Sequence, residues 1–266
     1  MREIIGAADR LLRGKLATRE DLASGRIGVS AGVLVAVGLC GGAIYGAAMG
    51  LFGVLRPTHA TWMQMTADAA KVPLLFLLTL LVAFPSLYAF SALANSKLGF
   101  VETLKLLLLA VALNLVLLAS FAPVTAFFTV STTSYAFMVL LNVGFFVLSG
   151  AIGLGVLGKA LRTVYAPSER RAEPLLLADA TEAEIARARK LAQEREQVSA
   201  AERANAVPRR IFMAWLAIYA LVGCQMAWVM RPFIGSPGLE FQLVRPRGGS
   251  FFEAVLTALG HVLMGR

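Results

Sequence analysis

Five stretches of this chain are long, apolar and almost free of charge: residues 27–55, 72–93, 103–121, 135–157 and 211–230. A helix rises about 1.5 Å per residue and a bilayer's hydrocarbon core is about 30 Å thick, so roughly 20 such residues cross it. In lipid every backbone N–H and C=O needs a partner inside the protein, which leaves helices or closed barrels. Barrel strands would show as alternating segments of about ten residues, and this chain has none. The chain is therefore expected to be an all-α integral membrane protein with five transmembrane helices. Composition agrees, with 58% hydrophobic and 15% charged residues against about 25% charged in soluble domains. Mean hydropathy is +0.72.

Charge then assigns sides. The formal net charge is +9, and Lys and Arg collect in cytoplasmic loops and against anionic lipid, which makes a lipid surface a better partner than nucleic acid. With the N-terminus inside, the 25 Lys and Arg divide 19 inside to 6 outside. That predicts a multi-pass membrane protein with its N-terminus inside and its C-terminus outside. Residues 1–26 form an amphipathic cytoplasmic segment, 27–157 a four-helix membrane part, 158–210 a charged cytoplasmic helix and linker, 211–230 the fifth span, and 231–266 an outer-face turn with a short interfacial helix.

In the first segment Ile4, Ile5, Ala8, Leu11, Leu12 and Leu16 recur at helical spacing. A helix on the inner membrane surface fits, with Arg10, Arg13 and Lys15 toward headgroups. In the first span Gly38, Gly42, Gly46 and Gly50 recur every fourth residue and so share one helix face. Such a glycine-zipper face lets another helix approach closely, either in the same chain or in a second copy. Residues 58–71 are too polar to span and predict a short interfacial helix, where His59 and Asp68 form neither a metal site nor a catalytic pair. Pro85 should kink the second span and Pro123 bend the third beyond its end. Asn114 and Asn142 at mid-depth are expected to hydrogen-bond across helices, or else, with Gln225, to line a polar path. Cys40 and Cys224 both fall in spans as small buried side chains, not as a disulfide framework.

The long polar segment carries a capping box at Thr181–Glu184, then a run rich in Ala, Glu, Arg and Lys, including Glu182 and Lys190. A solvated helix linking two spans fits, as does a docking surface for a cytoplasmic protein. Hydrophobic-Arg-Pro units at Arg56, Arg231 and Arg245 all fall on the outer side. Arg231 is expected to pair with Glu240 or Glu253 in a clasp across the outer mouth, or to snorkel to lipid phosphate. Ser250–Glu253 has the form of a capping box opening a last helix of about 14 residues, too short to span. Glu253, Thr257 and His261 make one polar stripe along it.

Chemistry-bearing motifs are scarce. No HExxH, GxSxG, Walker loop or dinucleotide turn occurs, and no span carries paired carboxylates or a buried Lys or Arg. Catalytic residues, metal and cofactor are all expected to be none. The blocks GGAIYGAAMG at Gly41–Gly50, KVPLLFLLTLLVAFPSLYAF at Lys71–Phe90 and LVGCQMAWVMRPFIGSPG at Leu221–Gly238 resemble a family of uncharacterised bacterial polytopic membrane proteins with a Yip1-like membrane domain. The resemblance covers roughly 27–157 and 211–253. It implies a five-helix membrane domain in a bacterial inner (cytoplasmic) membrane and carries over no catalytic residue. A non-enzymatic scaffold, recruitment or assembly subunit is the leading expectation. Its partners would be the lipid bilayer, other membrane or cytoplasmic proteins, and in one reading a second copy. A passive permease or transporter subunit is the alternative, followed by a lipid-acting membrane enzyme.

Overall fold

Ser30 opens the first long helix: its side chain accepts a hydrogen bond from the Val33 N–H at 3.3 Å, meeting one of the four donors a helix N-terminus leaves over. The computed structural model describes residues 2–13, 29–55, 61–93, 100–165, 193, 209–230 and 250–264. Among them are seven helices and no strand: α1 (Arg2–Leu12), α2 (Ala31–Val54), α3 (Thr61–Leu93), α4 (Phe100–Ser131), α5 (Tyr135–Tyr165), α6 (Arg209–Met230) and α7 (Phe251–Met264).

Four of these are long and apolar enough to cross a membrane, over Ala31–Val54, Trp62–Ser86, Phe100–Ser131 and Tyr135–Lys159. The chain thus has the make-up of a multi-pass membrane protein. α6 also carries an apolar stretch, Ala217–Val229. Two arginines, Arg209 and Arg210, open that helix, and no charged residue follows them up to Met230.

Two boundaries differ from expectation. Residues 61–71 do not form a separate interfacial helix; they are the first turns of α3, which runs unbroken to Leu93 with Pro73 and Pro85 inside it. Nothing between Ala70 and Val72 breaks a helix, and spanning helices keep internal prolines because neighbouring groups or local backbone adjustment re-satisfy the carbonyls they free. At 33 residues α3 is about 50 Å long, well over the bilayer core. Likewise α4 runs through Pro123 to Ser131 instead of ending near Phe121.

α4 is the central post. From Leu106 to Val116 every side chain on it is buried, and α2, α3, α5 and α1 all pack on it. α2 lies against both α3 and α4, α6 against α3, and α7 against α5 and α6. Aromatic rings fasten the seams. Phe121 stacks on Phe145 at 4.6 Å between α4 and α5, and Phe84, Tyr88 and Phe100 meet at 4.8–6.2 Å between α3 and α4.

The ends follow local chemistry. Between α4 and α5 the expected Ser/Thr turn is present: Ser134 N–H donates to Thr132 Oγ1, and Ser134 Oγ accepts from Phe137 N–H as the α5 cap. The Ser250–Glu253 capping box also forms, with both reciprocal bonds at 3.3 Å. α1 is amphipathic as expected, but it docks: Ala7 and Leu11 are buried against the core, and α1 packs on α2 and α4. Arg10 and Arg13 stay exposed, Arg13 paired with Asp9 at 2.9 Å. Cys40 is exposed and Cys224 half-buried, both free thiols, so Cys40 is not the buried packing residue it was expected to be.

Candidate functional site

The glycines of α2 show where its close neighbours come from. A Cβ added at Gly42 would stand 2.8 Å from Pro73 Cβ and 3.0 Å from Pro73 Cδ, so the glycine makes the hollow that receives the proline ring. At Gly46 a Cβ would collide with the Asp68 carbonyl, 2.6 Å from its carbon and 2.8 Å from Ala69 Cα. At Gly50 it would meet the backbone of Met65. Gly38 and its neighbour Gly41 turn instead to α4: a Cβ at Gly41 would lie 2.9 Å from the Leu115 carbonyl oxygen, and one at Gly38 3.2 Å from Leu115 Cδ1. The ladder is thus taken up inside the chain, against α3 along one edge and α4 along the other. At such distances backbone meets backbone, where dispersion contacts are densest.

Beside this ladder lies a polar group that sequence inspection missed. Tyr45 is fully buried, and its hydroxyl donates to Asn142 Oδ1 at 2.6 Å, joining α2 to α5. Asn142 Nδ2 in turn donates to the Met138 carbonyl at 2.7 Å. Thr125 of α4 lies close enough to interact with the Tyr45 hydroxyl, though its Oγ1 falls outside hydrogen-bond geometry. Phe146 closes the group, edge-on to Tyr45 at 5.7 Å and stacked on Phe76 of α3 at 5.9 Å. Asn142 therefore bonds across helices as expected, but to a tyrosine and not to Asn114. Tyr45→Phe is expected to cost about 1–3 kcal/mol, because it leaves a buried amide oxygen unmet. Unfolding in mild detergent reads this directly, and an unchanged midpoint would mean the bond contributes nothing.

Charge is also buried, contrary to expectation. Asp68 is 0% exposed and Lys71 9%, both on α3 within the apolar stretch Trp62–Ser86. Gln64, one turn earlier, donates its side-chain amide to both Asp68 oxygens at 2.9 and 3.0 Å. Lys71, one turn later, attracts the same carboxylate. The spacing Gln64–Asp68–Lys71 puts the three on one helix face, a signal readable once residues 61–93 are seen as one helix.

The remaining sites do not converge. Asn114 is 9% exposed, and its Oδ1 has no hydrogen-bond partner among the described residues. Gln225 is exposed on α6, which packs on α3 and α7, away from the two buried asparagines. Of the proposed outer clasp, Arg56, Arg231, Glu240 and Arg245 lie outside the described residues. Glu253 is described, and its carboxylate is engaged in capping α7. Thr257 and His261 share its exposed stripe, while the neighbouring Ala258 is buried. Residues 166–192 and 194–208, with the expected cytoplasmic helix, and His59 also lie outside. No three His, Cys, Asp or Glu side chains gather among the described residues.

Comparison with known proteins finds no match to this chain, whether among protein-family models, curated proteins or solved structures.

Proposed function

We propose that this chain is a non-enzymatic membrane scaffold, a recruitment or assembly subunit that holds other membrane or cytoplasmic proteins at a bacterial inner membrane. One observation supports the reading: among the described residues, α2 is packed tightly into the rest of the bundle. α2 meets α3 and α4 at backbone distance, Tyr45 is bonded to Asn142, and Gln64 is bonded to Asp68. The outward faces are long and apolar, among them Val147, Leu148 and Ile152 on α5 and Leu256 and Leu263 on α7. Lipid and neighbouring helices are the surroundings such faces fit.

The passive permease or transporter-subunit reading draws on a different observation, the buried Asp68 and Lys71, because ionisable groups at membrane depth commonly mark ion pathways. The path first suggested by Asn114, Asn142 and Gln225 gives it no support. Purification in gentle detergent after crosslinking separates the two readings. Reproducible co-purifying proteins are expected, and a chain that is always alone and monomeric overturns the scaffold.

The topology belongs to the same proposal: five spans with α6 as the fifth, N-terminus inside, C-terminus outside. The 19-to-6 division of Lys and Arg supports it, as does the resemblance of the three sequence blocks to the Yip1-like group. In a background lacking Cys40 and Cys224, Thr133→Cys in the exposed α4–α5 turn should react with a membrane-impermeant maleimide in intact spheroplasts. Reaction only after permeabilisation reverses the orientation.

A further inference from the structure

α1 carries three faces, and the bundle occupies only one of them. At about 100° per residue Ala7 and Leu11 lie together, with Ile5 and Leu12 roughly 130° to one side and Arg10 and Arg13 roughly 110° to the other. Ala7 and Leu11 are the buried pair, and α1 packs on α2 and α4. Ile5 and Leu12 stand 64% and 49% exposed, an apolar edge outside the core. Arg10 and Arg13 are exposed as well. Each directs its Nε–H back to its own helix, Arg10 to the Gly6 carbonyl at 3.2 Å and Arg13 to Asp9 at 2.9 Å. A guanidinium has further donors, and the terminal amino groups of both arginines make no hydrogen bond among the described residues.

We propose that α1 is a docking surface for anionic phospholipid, with Arg10 and Arg13 on headgroup phosphates and Ile5 and Leu12 in the acyl region. A helix lying along a bilayer surface keeps its apolar and charged sides apart, and here the two pairs lie roughly 120° from each other. Water all round would leave Ile5 and Leu12 unburied, and full immersion would put two guanidinium groups in hydrocarbon. The bilayer surface avoids both costs. Terminal amino groups of arginine match phosphate oxygens in a bidentate fork. The Nε bonds hold each fork along the helix, and a spacing of three residues puts both on one flank. The formal net charge of +9 favours an anionic lipid over a neutral one. Because Ala7 and Leu11 are seated in the core, lipid held by α1 is held beside α2 and α4.

Spin labels test the placement, on the whole chain in lipid nanodiscs with Cys40 and Cys224 replaced. Leu12→Cys puts a label on the apolar edge. Gly6→Cys puts one on the arginine flank, where an added Cβ meets nothing within 4 Å. The Leu12 label should relax more with oxygen than with a water-soluble nickel chelate, and the Gly6 label the reverse. Chelate dominating at both positions overturns the proposal, as does oxygen dominating at both. A Leu12 label shielded from both reagents also overturns it, since protein then covers that edge. Native mass spectrometry of the chain released from mixed phosphatidylcholine and phosphatidylglycerol nanodiscs tests the charge. The wild type should retain phosphatidylglycerol preferentially, and Arg10→Gln with Arg13→Gln should weaken that preference, by about 5-fold per arginine. An unchanged preference in the double variant overturns the arginine site.

Discussion

Gly46→Ala should destabilise the chain by about 3 kcal/mol or more, at or above the upper end of what overpacking a core usually costs. A methyl there meets the Asp68 carbonyl and Ala69 Cα at 2.8 Å, and neither is the free end of a side chain that could swing away. α2 and α3 must move apart, and the contacts at Gly42–Pro73 and Gly50–Met65 loosen with them. The control is Gly155→Ala on α5, which has nothing within 4 Å. Alanine's helix propensity should make that change neutral to stabilising, by up to about 1 kcal/mol. Unfolding midpoints of both variants in the same detergent decide the matter, and equal effects would mean that the α2–α3 contact is not as close as described.

Asp68→Ala is expected to cost about 1–3 kcal/mol, the range for leaving a buried polar group without its hydrogen-bond partner. Gln64 loses the acceptor of two hydrogen bonds, and Lys71, 9% exposed, loses a nearby counter-charge. The informative comparison is with Lys71→Ala and the double variant. Removing both charges takes away the burial penalty together with the attraction, so the double variant should be no worse than either single one. Strictly additive losses would show that the two residues act independently. The cycle also bears on the permease reading, because a pair kept for ion passage must carry a functional loss that restored stability does not cure.

Much of this fold could be read from residues alone, for plain reasons. Length and hydropathy find spans because the bilayer imposes both. The Ser250–Glu253 cap is legible because capping is local, needing residues three apart and nothing else. What the glycine ladder faces was not legible: periodicity shows that Gly42, Gly46 and Gly50 share a face, but not that α3 is what lies against it. Tyr45 was passed over because a tyrosine in an apolar run looks like packing, and its partner Asn142 lies 97 residues away. Asp68 was misplaced for a different reason. Polarity was read as marking an interface, although no helix breaker separates Trp62–Ala70 from the apolar run behind it. Asn114 shows the opposite limit, since a mid-span asparagine suggests a partner and the described residues supply none.

The four-residue repeat of α2 also governs how that helix could slide. Moving α2 by one or two residues along its axis would bring a side chain such as Tyr45 or Ala48 onto the Asp68 carbonyl, where only glycine fits. A shift of four residues, about 6 Å, would bring Gly42 or Gly50 to the same place. Gly41 closes that route too, because the same shift would bring Val37 or Tyr45 against the Leu115 carbonyl, so only the present register suits α3 and α4 together. The Tyr45–Asn142 bond ties α2 to α5 in that same register.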